Sequence, residues 1–253
     1  GVIFYGSTLN SALIGLAVLI FALRYLPHHP PLTQKESLRE SLRRMKSVLN
    51  SRLILASYAF MGAAMMSGFL LIPNISAHLQ MNLGYPREHL GVLYFCGGAV
   101  SFVGMRLAGR LMDRSSATAT ALLFTGVLMA AIVTGFIVFP SPVPVLVVFI
   151  CFMVGMTGRN VCDQALSSKI PRPQDRAAYM ALQASVTHLA CAVGASLSSH
   201  LLAEEAGKLL HVQEIGALAV LVALTVPVLM LYVERSLKGR AAPAMPLPAV
   251  EAA

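Results

Sequence analysis

LGVLYFCGGAVSFVGMRLAGRLMDRSSATATALLFTGVLMAAIVTGFIVF, residues 90–139, decides the fold of this chain. Two apolar runs, about 90–108 and 117–139, flank a short connection that carries Arg110, Asp113 and Arg114. Each run is near the roughly 20 residues that cross a bilayer as helix, and no strand-length alternation competes with them. Outward from this pair, five more apolar segments lie at about 2–25, 53–79, 143–163, 178–203 and 213–233. The expected fold is an all-α membrane protein with seven transmembrane helices.

The 19 Lys and Arg residues fall almost entirely on alternate connections. With the segments numbered as spans one to seven, Arg24, Lys35, Arg39, Arg43, Arg44, Lys46 and Arg52 follow span one, and Arg106, Arg110 and Arg114 close span three. Arg159, Lys169, Arg172 and Arg176 follow in the same way at span five, and Arg235, Lys238 and Arg240 after span seven. The other side holds Arg87 and Lys208. Cytoplasmic connections carry the excess of basic residues, so the C-terminus is expected in the cytoplasm and Gly1 near the outer face.

Composition points to the same class. With 57% apolar residues, 12% charged residues and a mean hydropathy of +0.72, a soluble domain of this length is not expected. The formal charge of +8 sits on short connections without a basic helix or an aromatic platform, which argues for anionic lipid contact and against nucleic acid. Cys96, Cys151, Cys162 and Cys191 fall in or beside apolar segments without metal-type spacing, so neither a disulfide framework nor a metal site is expected. Tyr25, Tyr85, Tyr179 and Tyr232 stand near segment ends, where amphipathic rings meet the membrane interface.

The chain divides into four parts. Gly1 lies almost inside a span, without an initiating Met, a charged n-region or a cleavage site, which reads as the later part of a longer protein. Span one, within residues 1–25, is then left over from what precedes it, and residues 53–235 form a bundle of six helices. Between them, residues 26–52 carry Thr33 and Glu36 at capping-box spacing, followed by an apolar stripe of Leu38, Leu42, Met45 and Leu49. That pattern predicts an amphipathic helix along the cytoplasmic membrane surface, with a solvated linker as the alternative. Residues 236–253 turn to Ala and Pro and are expected to be a disordered tail.

Enzyme signatures are missing: there is no HExxH, GxSxG, Walker loop or dinucleotide glycine fingerprint, so neither catalysis nor a cofactor is expected. Span seven has no interior lysine for a retinal Schiff base, and no cysteines suit the outer disulfide of a seven-helix receptor. The most specific local sequence is Gly109-Arg110-Leu111-Met112-Asp113-Arg114. It resembles the loop motif of the major facilitator superfamily, Gly-x-Leu-x-Asp-Arg between the second and third helices of a six-helix half. After Arg114, Ser115-Ser116-Ala117 replaces the glycine and second basic pair of the family pattern. Lys169-Ile170-Pro171 through Asp175-Arg176 and Tyr179-Met180-Ala181-Leu182-Gln183 also resembles the tenth-to-eleventh helix connection of sugar and drug efflux members.

The resemblance implies that span one matches the sixth helix, residues 26–52 the central linker, and spans two to seven the C-terminal bundle of a twelve-span carrier. Physically, Gly109 would let two helices approach closely, Asp113 would place a negative charge by a helix N-terminus, and Arg110 and Arg114 would hold nearby carboxylates or lipid phosphates, with ordinary positive-inside residues around a tight turn as the alternative. The resemblance also implies that spans two, three, five and six line the substrate cavity.

Polar side chains inside spans mark a substrate path, because lipid cannot solvate them. Span six carries Gln183, Ser185, Thr187 and His188, and span five carries Thr157, Arg159, Asn160 and Asp163. The expected cavity residues are Tyr58, Met61, Met65, Tyr94, Asn160, Gln183, Ser185 and His188. For Met61 and Met65 packing is the plainer reading, and for Arg159 and Asp163 a snorkelling or structural ion pair. His188, close to the middle of span six, is either a coupling group that exchanges a proton or a neutral histidine bonded between helices.

The expected function is secondary active transport of a small solute by alternating access, in the form of proton-coupled efflux. Gly109, Arg110, Asp113, Arg114, Arg159, Asp163 and His188 are the coupling and gating candidates. The partners implied are the solute, protons, membrane lipids and a missing N-terminal half, and the location a bacterial inner membrane. The alternatives are uptake of a nutrient or metabolite by the same fold and a seven-span signalling or scaffold protein.

Overall fold

The computed structural model describes residues 15–21, 24, 43, 45, 46, 49, 51–138 and 142–241. Residues 15–21 and 24 are helical, and the rest of the first apolar segment lies outside the described residues. Of the expected amphipathic segment, Arg43, Met45, Lys46 and Leu49 are described and helical. Among the described residues, six helices are long and apolar enough to cross a membrane.

Span two is α1 (Arg52–Phe69) followed by α2 (Ile75–Met81), and spans three to seven are α3 (Leu90–Arg114), α4 (Ala117–Ile132), α5 (Val145–Ser167), α6 (Arg176–Leu201) and α7 (Val212–Ala241). The break in span two has a local cause. Pro73 has no N–H for the ladder, so the chain tightens into a 3₁₀ turn at Ile72–Asn74, with Leu71 N–H bonded to Gly68 C=O and Asn74 N–H to Leu71 C=O. Helix α4 ends differently, in a widened π turn over Val133–Ile137.

Three expectations change. Span three does not end near residue 108: α3 continues to Arg114, so Gly109 to Arg114 stand on its last two turns and not in a loop. Helix α7 runs to Ala241, past the expected start of a tail at residue 236. Strands are present, in an antiparallel hairpin of β1 (Ala203–Glu205) and β2 (Lys208–Leu210) before α7. Ala206 and Gly207, with φ of 50° and 74°, form its two-residue turn, and positive φ at both central positions matches the twist of paired strands.

The helices pack in the order α3, α5, α4, α7, α1, α6, with α3 and α6 at the two ends. Within the bundle, 56% of the apolar stretch of span two is buried against 11% of that of α6, so α6 turns most of its surface outward. Two apolar clusters fill the interior. One joins Ile75, Leu79, Phe136, Phe149, Phe152 and Ile215 at the hairpin end, and the other joins Leu53, Phe60, Cys162, Leu166, Tyr179 and Met230 at the end where the basic connections gather. Small residues let helices meet closely. Gly194 of α6 lies against α1, where an added Cβ would stand 2.9 Å from the Met66 carbonyl oxygen. One turn on, Ser198 accepts a 2.9 Å hydrogen bond from Asn74 at the break. Gly194 and Ser198 thus face the packed side of α6, with Ser198 fully buried.

Candidate functional site

Between the two apolar clusters α5 places a polar group. Arg159 is 0% exposed; its Nη2 donates to the Ala64 carbonyl of α1 at 2.6 Å and lies 3.4 Å from the Met156 sulfur. Its Nε and Nη1, both oxygens of Asp163, and Oδ1 of Asn160 are buried without a hydrogen-bond partner. Asp163 is 1% exposed. Residues four apart share a helical face, yet Arg159 and Asp163 do not close into an ion pair. The snorkelling reading fails as well, because the guanidinium is wholly enclosed and held by α1. A charge buried without partners costs several kcal/mol.

The other expected cavity residues do not converge on one pocket. Tyr58 is buried, its ring stacked on Tyr179 of α6 with centroids 5.2 Å apart, and its hydroxyl donates to the Tyr179 carbonyl at 3.1 Å. Ser57 Oγ and the Tyr179 hydroxyl lie 2.9 Å apart. Tyr179 is therefore a core residue that ties α6 to α1, and not an interface ring. Met61 is buried in the same cluster and Met65 is half-buried. Gln183 faces inward on α6, whereas Ser185 and His188 face outward, and the Ser185 hydroxyl is spent on the Ala181 carbonyl. Tyr94 is exposed on α3, bonded to Ser76 Oγ at 2.7 Å and edge-on to Phe149.

Of the motif residues, Arg110, Asp113 and Arg114 are exposed and make no side-chain hydrogen bond or ion pair among the described residues. A Cβ at Gly109 would meet nothing within 4 Å, so no described helix approaches there. The negative charge at the start of α4 comes from elsewhere. Glu234 of α7 accepts from the Thr118 N–H at 3.2 Å and pairs with Lys238 at 3.0 Å, while the Ser116 hydroxyl accepts from the Ala119 N–H at 3.0 Å. A carboxylate at a helix N-terminus meets unpaired N–H groups and the positive end of the dipole. Asp113, Lys169, Glu234 and Lys238 line one open cavity of about 490 Å³ at this end. Glu234→Ala should lower the melting temperature of the purified protein by an amount equivalent to about 1 kcal/mol, with Arg235→Ala at the neighbouring exposed position as the silent control.

Two further residues escaped the reading of the sequence. Asn82, just after α2, pairs with β2 as a strand would: its Oδ1 accepts from Leu209 N–H and its Nδ2 donates to Leu209 C=O, each at 2.9 Å. The same Nδ2 lies 3.1 Å from Nδ1 of His78, which makes Nδ1 the acceptor and leaves Nε2–H to donate to the Gly135 carbonyl at 2.8 Å. His78 is 1% exposed and stacks on Phe136. The four-residue spacing of His78 and Asn82 was the available signal, but their partners lie 57 and 127 residues away in sequence.

A family model described as Major Facilitator Superfamily matches residues 2–195, from the first apolar segment well into α6. No curated protein matches the chain.

Proposed function

Since the chain belongs to the major facilitator superfamily, we propose that it forms the C-terminal half of a carrier that exports a small solute in exchange for protons. Membership makes it an integral membrane protein of secondary solute transport; efflux, the proton and the cytoplasmic C-terminus are the proposal. In this reading residues 53–235 work as one rocking half, and the outward face of α6, with Ser185 and His188, borders a central path shared with a second six-helix half. Gly109, Arg110, Asp113 and Arg114 act where the two halves meet on the cytoplasmic side, which accords with the exposure of the three charged residues on α3.

The observation that carries the proposal is the enclosed Arg159, Asn160 and Asp163 group with its unpartnered polar atoms. Intramembrane ionisable residues are expensive and mark ion or proton paths. A carboxyl that neither α1 nor α5 supplies with a donor has a use for a proton, and release of Arg159 from the Ala64 carbonyl would free its guanidinium for Asp163.

Reconstituting the complete carrier in vesicles and following sugars and amphiphilic drugs with and without an imposed pH gradient tests this directly. Gradient-dependent solute movement is the expected result, and movement indifferent to the gradient for every solute carried would refute the coupling. In the same assay His188→Gln discriminates between the two coupling candidates. Because His188 is exposed on α6 and the enclosed polar group is on α5, the variant should alter solute recognition and leave the pH profile in place.

A further inference from the structure

We propose that a cavity of about 170 Å³ at the hairpin end of the bundle is a binding site for a small apolar ring compound of the size of benzene or toluene. It lies between α2, the π turn after α4, and the first two turns of α5, with Ile75, Leu79, Phe136, Val148, Phe149 and Phe152 as its apolar wall. Phe152, its deepest residue on α5, is seven positions before Arg159, about 10 Å along the helix axis. The cavity is thus separate from the enclosed polar group and from the outward face of α6.

The chemical class follows from the polar atoms around the space. His78 uses Nε2 on the Gly135 carbonyl and Nδ1 on Asn82. Asn82 uses its oxygen on Leu209 N–H and its amide nitrogen on both His78 and the Leu209 carbonyl. Thr134, the remaining hydroxyl of the lining, donates to the Ala130 carbonyl at 2.8 Å. Every side-chain donor of the wall is occupied by the protein, so water entering the cavity would find few partners. An apolar cavity of about 150 Å³ accepts benzene or xenon, and the space here is of that size.

The wall favours an arene over an alkane. Phe136 and Phe152 stand 6.3 Å apart with planes inclined at 43°, an arrangement that offers edge and face to a third ring. Gly135 keeps the space in shape, because a Cβ there would stand 2.6 Å from Val148 and push that side chain aside. A bound ring also touches Phe136, on which His78 stacks at 4.8 Å. It would therefore stabilise the contacts that hold α2, the end of α4 and the hairpin together.

Fluorobenzene titrated into the purified full chain in detergent, followed by fluorine NMR, tests the site. A saturable bound signal above the micelle background is expected, together with a rise of a few degrees in melting temperature. Leu79→Phe fills the space from α2 and Val148→Phe from α5, and in whichever of the two folds the bound signal and the thermal shift should both disappear. Absence of a saturable signal in the unaltered protein, or its persistence in a folded filled variant, overturns the proposal.

Discussion

Asp163→Asn in the complete carrier should sharply reduce solute accumulation driven by a pH gradient while leaving gradient-independent solute exchange measurable. The amide has the shape of the acid and carries no proton that can leave. Both Asp163 oxygens are buried without a donor, and two nitrogens of Arg159 one turn away are unpartnered. A proton taken up there removes a buried charge and its release restores one, so burial ties the energy of the carboxyl to its protonation state. Fixing it in one state should reduce gradient-driven accumulation about tenfold or more, a difference of roughly 1.4 kcal/mol or above between the two conformations. Arg159→Met, unbranched and without charge, should weaken transport too, but through lost contact with Ala64 as well as lost coupling. A double variant no worse than Arg159→Met alone would show that the two residues act as a unit. Unimpaired gradient-driven accumulation by Asp163→Asn would remove this group from the mechanism.

Gly155→Ala should produce a large loss of stability from a single methyl group. A Cβ at Gly155 would stand 2.7 Å from the backbone nitrogen of Leu128 and 2.8 Å from its Cα. Backbone atoms cannot rotate away as a side chain can, so α4 and α5, which make the most extensive helix contact of the bundle, must move apart. Overpacking of this kind costs about 1–3 kcal/mol, more than the roughly 1 kcal/mol that alanine gains over glycine inside a helix. Gly109→Ala carries the same gain without the clash, because open space surrounds that position. The melting temperature should fall by several degrees in Gly155→Ala and stay level or rise in Gly109→Ala. Equal behaviour of the two variants would mean that α4 and α5 do not pack as closely as described.

The two glycines look alike in the sequence. Gly109 belongs to the most recognisable motif and Gly155 to no motif, yet only Gly155 lies against another helix. The same contrast holds for the charged groups. Asp113 stood out by its motif and is exposed, whereas Glu234, in an unremarked turn of α7, supplies the carboxylate at the start of α4. A motif is read from residue types in sequence, and among the described residues no other helix comes against Gly109.

By itself the sequence determined the membrane class, the six helices from residue 52 onward, the alternation of basic connections and the family. Those properties are sums over local stretches: transfer of an apolar segment from water to lipid depends on its own side chains and little on its neighbours. The tertiary structure decided which polar groups are enclosed, which are satisfied and which are open. Arg159 meets Ala64 across 95 positions, Tyr58 meets Tyr179 across 121, and Asn82 meets Leu209 across 127. Such pairings depend on which helix faces which and at what height, to within the ångström or so that makes or breaks a hydrogen bond. Hydropathy is blind to that distance, and the unpartnered atoms of Asp163 became visible only once α1 was packed against α5.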